Sequence, residues 1–124
     1  MEGGLLHKDP SYKIVGLAMQ VHRELGPGFL EKVYENSLMI LFAENGISAQ
    51  AQFPVKVHFH RHIVGDYIAD IIVENSVVVE LKAQDRIQHL HKAQTLNYLR
   101  ATNFRLALLL NFGKASLEHE RLVL

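Results

Sequence analysis

The chain has 124 residues, with 13 basic and 13 acidic side chains and no cysteine. Its length and 48% apolar content suit one domain with a sizeable core and exclude a disordered chain. Zero formal net charge argues against a broad, purely electrostatic nucleic-acid binder, and the missing cysteines rule out disulfides, thiolate zinc sites, iron–sulfur clusters and cysteine nucleophiles.

Residues 1–8 read as a loose tail with no apolar leader. Asp9-Pro10 reads as an N-cap followed by proline in the first helical position. The helix it opens runs to about Leu25, with Ile14, Leu17, Ala18, Val21 and Leu25 on one side. Gly26-Pro27-Gly28 breaks it, and a second helix over residues 30–45 ends at Gly46. Strands follow. Residues 47–53 and 55–60 carry β-formers or alternate, with a tight turn near Arg61-His62. Residues 66–73 and 77–83 are apolar runs joined by Glu74-Asn75-Ser76, which predicts a hairpin. A third helix is expected over residues 88–101, a strand buried on both faces over 105–111, and a short last strand over 117–123. The longest uncharged apolar stretch, residues 106–111, falls far short of a membrane span, so the chain reads as soluble and cytoplasmic, with no membrane partner. The order of elements predicts an α/β (α+β) fold, a mixed sheet flanked by helices, in a single domain over residues 1–124.

Asp70 and Glu80 are the residues that do not belong in a core. Each interrupts an apolar strand, where a carboxylate is costly to desolvate unless it is paired or binds a metal. A hairpin centred on Asn75 sets them opposite each other, with Cβ atoms about 5 Å apart. Two like charges at that distance call for something positive between them. Lys82, two residues beyond Glu80, shares its face, and a divalent cation would neutralise the pair further. Oxygen-only ligands favour Mg²⁺ or Mn²⁺ over zinc. The plainer alternative is a buried Asp–Lys–Glu cluster without chemistry, and the convergence of three such groups in so apolar a hairpin favours a site.

Helical periodicity puts Glu31 in line with Glu35, Leu38 and Phe42, beside Tyr34; on position alone it is an ordinary first-turn acid favoured by the helix dipole. Gln94 and Tyr98 form an i, i+4 pair on the third helix, with Gln94 sharing a face with Leu90, Asn97 and Ala101. In isolation Gln94 reads as a polar residue at the edge of a core face. The eight histidines include the alternating His58, His60 and His62, expected on one strand face exposed to solvent, and His89 and His91, which precede the Gln94 helix turn and offer a weak case for touching phosphate.

At this point the motifs match a known family. Gly28-Phe29-Leu30-Glu31-Lys32-Val33-Tyr34 resembles the signature of the GxxExxY proteins, a branch of the PD-(D/E)xK nuclease superfamily. The resemblance continues through Asp70, Glu80-Leu81-Lys82, Gln94-Thr95-Leu96-Asn97-Tyr98 and Asn111-Phe112-Gly113, and so spans the chain from about Tyr12 onward. The E-x-K triplet occurs often by chance; the ordered set of motifs is more specific. The resemblance implies a restriction-endonuclease-like fold, a mixed central sheet with flanking helices. It implies that Asp70 and Glu80 hold Mg²⁺ (or Mn²⁺), that Lys82 positions the attacking water and stabilises the transition state, and that Glu31 is a further direct or water-mediated ligand. Gln94 and Tyr98, as in RecB-like nucleases, would orient the site and touch the DNA backbone. The proline of the PD motif is Ala69 here. The implied activity is metal-dependent phosphodiester hydrolysis, in DNA first. The alternative is a catalytically silent nucleic-acid-binding or regulatory module of the same fold. The short, uncharged chain leaves little surface to grip a duplex, which a second copy in a homodimer or a partner protein would supply.

Overall fold

In the computed structural model, which describes residues 10–124, helix α1 (Ser11–Leu25) turns one apolar stripe inward: Ile14, Leu17, Ala18 and Val21, at the i, i+3, i+4, i+7 spacing of a helix face. Leu25, expected on the same stripe, reaches the end of the helix and is exposed. Pro10 occupies the N-cap itself rather than the first helical position, and Gly26 ends the helix with φ +75°. The proposed Asp9 cap and the tail over residues 1–8 lie outside the described residues. Helix α2 (Glu31–Glu44) buries Tyr34, Glu35, Leu38 and Phe42 and gives way to Asn45 and Gly46, the latter at φ +69°.

A single five-stranded sheet follows, its strands in sequence order: β1 (Ala49–Phe59), β2 (His62–Val73), β3 (Val77–Lys82), β4 (Leu106–Asn111) and β5 (Glu118–Val123). Neighbours are antiparallel except β3 and β4, which run parallel. A parallel pair needs a crossover, and α3 (His89–Thr102) provides it. One face of the sheet packs Ile71, Val73, Val79, Leu81, Leu108 and Leu110 against α1 and α2. The other packs Val55, Ile72, Val78 and Ala107 against Tyr98 and Leu99 of α3. The result is the mixed sheet between helices of the restriction-endonuclease-like class.

Two features differ from the sequence expectation. Residues 47–60 do not form two separate strands. β1 is continuous through Pro54; Gln52, at φ +56°, drops out of the ladder between Ala51↔Ile71 and Phe53↔Ala69 without a change of register, and the register shift of the pair lies further along, between Val57 and His58. β2 begins at His62, earlier than residue 66, because the reversal lies at His60-Arg61 (φ +49° and +69°), the left-handed pair of a two-residue hairpin turn. His60 is therefore a turn residue, and His58, His60 and His62 do not share one strand face; all three are exposed.

Candidate active site

The β2–β3 ladder runs Val73↔Val77, Ile72↔Val78, Ile71↔Val79 and stops. Asp70 and Glu80 would be the next pair, as the hairpin centred on Asn75 predicts. Beyond them the strands part, β2 continuing along β1 and β3 along β4. Two side chains take over the cross-strand bonding at the fork. The Asp70 backbone N–H donates to Glu80 Oε2 at 2.7 Å, and the Leu81 backbone N–H donates to Asp70 Oδ2 at 2.7 Å. Both lie at the short end of the usual N–H···O range. They fix both carboxylates and leave Oδ1 and Oε1 without a partner among the described residues. No buried polar side-chain atom there lacks a bond, so these two oxygens reach open space. On the other side of β2, the gap in the ladder at Gln52 leaves Asp70 without a paired residue on β1.

Glu80 is buried and Asp70 half-buried. Burial, followed by the Asp70 charge, pushes the Glu80 carboxyl up to about 8, against the opposing pull of the Asp70 N–H and of Lys82. Burial also raises Asp70, the Leu81 N–H opposing it and the charges of Glu35 and Glu31 adding to it. Near neutral pH, without a cation, Glu80 keeps a proton. Lys82 alternates onto the same face as Val78 and Glu80, the face α3 covers. It is felt by both carboxylates but forms no direct ion pair with either among the described residues.

The Gly28-to-Tyr34 signature explains how Glu31 arrives here. Gly28 takes φ +110°, open to glycine and strained for other residues. Tyr34, fully buried and stacked on Phe112 with ring centroids 4.5 Å apart, donates its hydroxyl proton to Gly26 O at 2.6 Å and accepts from Phe29 N–H at 3.2 Å. That strap sets the loop and hence the start of α2 at Glu31. The Glu31 charge bears on Asp70, Glu80 and His91, so the helix acid shares their electrostatic neighbourhood. Among the described residues, however, no third acid or histidine stands close enough to the pair to complete a set of three ligands.

From α3, Gln94 Nε2 donates to Tyr98 Oη at 3.3 Å. Burial and then the charges of Glu80 and Asp70 raise the Tyr98 phenol, which keeps its proton and stays a donor. Gln94 faces solvent with Leu90 and Asn97 rather than edging the core; the buried side of α3 is His91, Thr95, Tyr98 and Leu99. His91 is spent on the helix start, its Nδ1 accepting from Gln88 N–H at 3.1 Å. Burial and the nearby Lys82 hold it below the usual histidine range and therefore neutral.

Sequence reasoning missed two supports. Glu35, buried, pairs with Lys32 Nζ at 2.9 Å and accepts from Gln52 Nε2 at 2.9 Å, which ties α2 to the gap in the β1–β2 ladder beside Asp70. Asn111 anchors the loop after Lys82: its Oδ1 accepts from Gln84 N–H (2.9 Å) and Gly113 N–H (3.1 Å), and its Nδ2 donates to Gln84 O (3.0 Å) and Glu118 Oε1 (3.0 Å). Gly113 completes the clamp, since a Cβ there would stand 2.2 Å from Gln84 O and 2.4 Å from Gln84 N, both backbone atoms that cannot swing aside. Gly113→Ala is expected to cost roughly 3 kcal/mol in urea denaturation; a midpoint equal to wild type would remove the clamp from the account.

The donor set suits a hard divalent cation. Two fixed carboxylates each present a free oxygen, and Mg²⁺ is commonly held by one or two carboxylates while keeping several waters. The model of the PD-(D/E)XK nuclease superfamily matches residues 8–122. The chain belongs to the PD-(D/E)XK nuclease superfamily. Nucleases of this superfamily use divalent metals and act on nucleic acid. Among solved structures, the PD-(D/E)XK chain is similar to the crystal structure of SSO0001, with a TM-score of 0.54 and 16% sequence identity over 74% of this chain and 48% of that one. That likeness is one of fold, and the chain spans about half of that protein. No curated protein matches. No helix among the described residues is long and apolar enough to cross a membrane.

Proposed function

We propose that this PD-(D/E)XK domain, a single unit of the GxxExxY branch, is a Mg²⁺-dependent nuclease that hydrolyses phosphodiester bonds in DNA. The observation that carries the reading is the forked carboxylate pair. Asp70 and Glu80 are locked by each other's strand, buried at an energetic cost, and left with one open oxygen apiece. A structural ion cluster would bring Lys82 into direct contact and leave no oxygen open.

Asp70 and Glu80 would hold the cation, with Glu31 reaching it through water. The cation, Mg²⁺ or Mn²⁺ in its place, supplies positive charge that polarises the scissile phosphate and acidifies water for attack. Lys82, uncommitted to an ion pair, presents its ammonium where negative charge develops as the phosphate is attacked. Tyr98, kept protonated, donates towards a phosphate oxygen, and Gln94 orients the phenol through their hydrogen bond. The Gln52–Glu35 hydrogen bond would hold α2 against β1 beside Asp70.

The zero net charge, and the lack of a third close ligand among the described residues, favour a second reading, a nucleic-acid-binding or regulatory module without turnover, with a second copy or partner protein adding binding surface. Incubation with single- and double-stranded DNA and with RNA, in Mg²⁺, Mn²⁺ or EDTA, separates the two. Metal-dependent cleavage of DNA is the expected result; binding without cleavage in either metal selects the second reading.

A further inference from the structure

A groove of about 880 Å³ lies between α3 and the β1–β2 hairpin, within the range of pockets that take small organic ligands (roughly 300–1,000 Å³). Gln94 and Tyr98 form part of its lining, and the charges of Glu80 and Asp70 bear on Tyr98, which links the groove to the carboxylate pair through α3. Tyr67 stands opposite, its ring 6.1 Å from that of Tyr98 and 49% exposed. Gly65 makes that placement possible: a Cβ at residue 65 would meet Tyr67 Cε2 at 2.8 Å and push the ring away. Arg100 and Lys56 supply the groove's formal cations, and Lys56 is already paired with Asp66 at 2.9 Å.

We propose that this groove takes single-stranded DNA leading to the scissile phosphate, with an unstacked base on Tyr67. The inference rests on the reading of Asp70, Glu80 and Lys82 as a phosphodiester-cleaving centre. Two observations choose a single strand over a duplex. An open tyrosine face is useful only to a base whose own face is free, and in a duplex the neighbouring base pairs cover it. Duplex binding also draws chiefly on phosphate neutralisation, and a groove lined by two formal cations, one of them (Lys56) already paired with Asp66, in a chain of zero net charge offers little of that. Stacking on an aromatic ring needs no net charge.

The test is fluorescence anisotropy in EDTA, where metal-dependent cleavage is blocked, using a short labelled oligothymidylate, its duplex with oligoadenylate, and an oligouridylate. The oligothymidylate is expected to bind more tightly than the other two. Tyr67→Ala is expected to weaken it on the order of tenfold, Tyr67→Phe to leave it near wild type, and Gly65→Ala to weaken it without removing any groove group. Unchanged melting temperatures show that the variants remain folded. Equal or tighter duplex binding, or an unaffected Tyr67→Ala, overturns the proposal, and tighter oligouridylate binding overturns the assignment to DNA. Cleavage of the same oligonucleotides by wild type in Mg²⁺ and Mn²⁺ is read in parallel. Single-strand binding that follows Tyr67 but brings no cleavage upholds the groove and refutes the nuclease reading; cleavage of duplex without that binding does the reverse.

Discussion

Asp70→Asn and Lys82→Ala are each expected to abolish cleavage, lowering the rate on the order of 10²-fold or more, while leaving the fold intact. The two variants fail for different reasons, and that difference can be measured. In Asp70→Asn the side-chain oxygen still accepts the Leu81 N–H, so the fork survives, but an anionic ligand is gone. Removing that charge also relieves Glu80, whose carboxyl the Asp70 charge pushes upward, so the metal-free variant is expected to be at least as stable as wild type. Its stabilisation by Mg²⁺ in a thermal melt should disappear. Lys82→Ala removes a charge that forms no direct ion pair among the described residues, and it should keep the Mg²⁺-dependent rise in melting temperature while losing turnover. Wild-type cleavage rates in either variant would contradict the mechanism, and loss of folding in both would point to a structural cluster.

The second large effect is on pH. Glu80 sits near 8 in the folded chain against 4.5 in the unfolded one, and Asp70 shifts in the same direction. A raised carboxyl favours the folded state while it is protonated. The Glu80 contribution is therefore complete below about 4.5 and is lost as pH rises through about 8. Metal-free protein should lose stability between those limits, by at most about 5 kcal/mol from this group. Cation binding must displace the Glu80 proton, so the stabilisation given by a fixed Mg²⁺ concentration should grow across the same window and level off above it. Glu80→Gln should flatten most of the metal-free pH dependence and abolish the response to Mg²⁺. Melting curves from pH 5 to 9, with Mg²⁺ and with EDTA, measure both, and a wild-type stability that does not change with pH would show that Glu80 is not buried as described.

Much of this architecture is legible in the chain, for identifiable reasons. The stripes of α1 and α2 repeat with the helical period, and the apolar runs over residues 77–79 of β3 and 106–110 of β4 mark strands buried on both faces, so burial on the observed faces follows from pattern. The meeting of Asp70 and Glu80 was legible because a hairpin register carries forward residue by residue from its turn. The fork was not, because it depends on β3 preferring β4 as its partner and β2 preferring β1, a choice made by the crossover through α3 rather than by local pattern. The long β1–β2 arm was hidden for a related reason. Pro54 reads as a strand breaker, yet β1 lies at the edge of the sheet, where a missing N–H is tolerated. His60 and Arg61 adopt left-handed angles that asparagine or glycine would have signalled. Gln52 gave no sign at all, since a glutamine at φ +56° is held there by its bond to Glu35 and by the strands around it. Asn111 and Gly113 were recognisable only as part of a family pattern; their work on the loop after Lys82 shows only when β4 is laid beside β3.

All of these readings converge on one claim, that Asp70 and Glu80 jointly hold a divalent cation. Crystals of the wild-type protein soaked in Mn²⁺ and measured for anomalous scattering test it directly. The account expects one peak shared by Asp70 Oδ1 and Glu80 Oε1 and absent from Asp70→Asn crystals. A wild-type crystal with no peak between the two carboxylates, or with manganese bound only elsewhere, would contradict it.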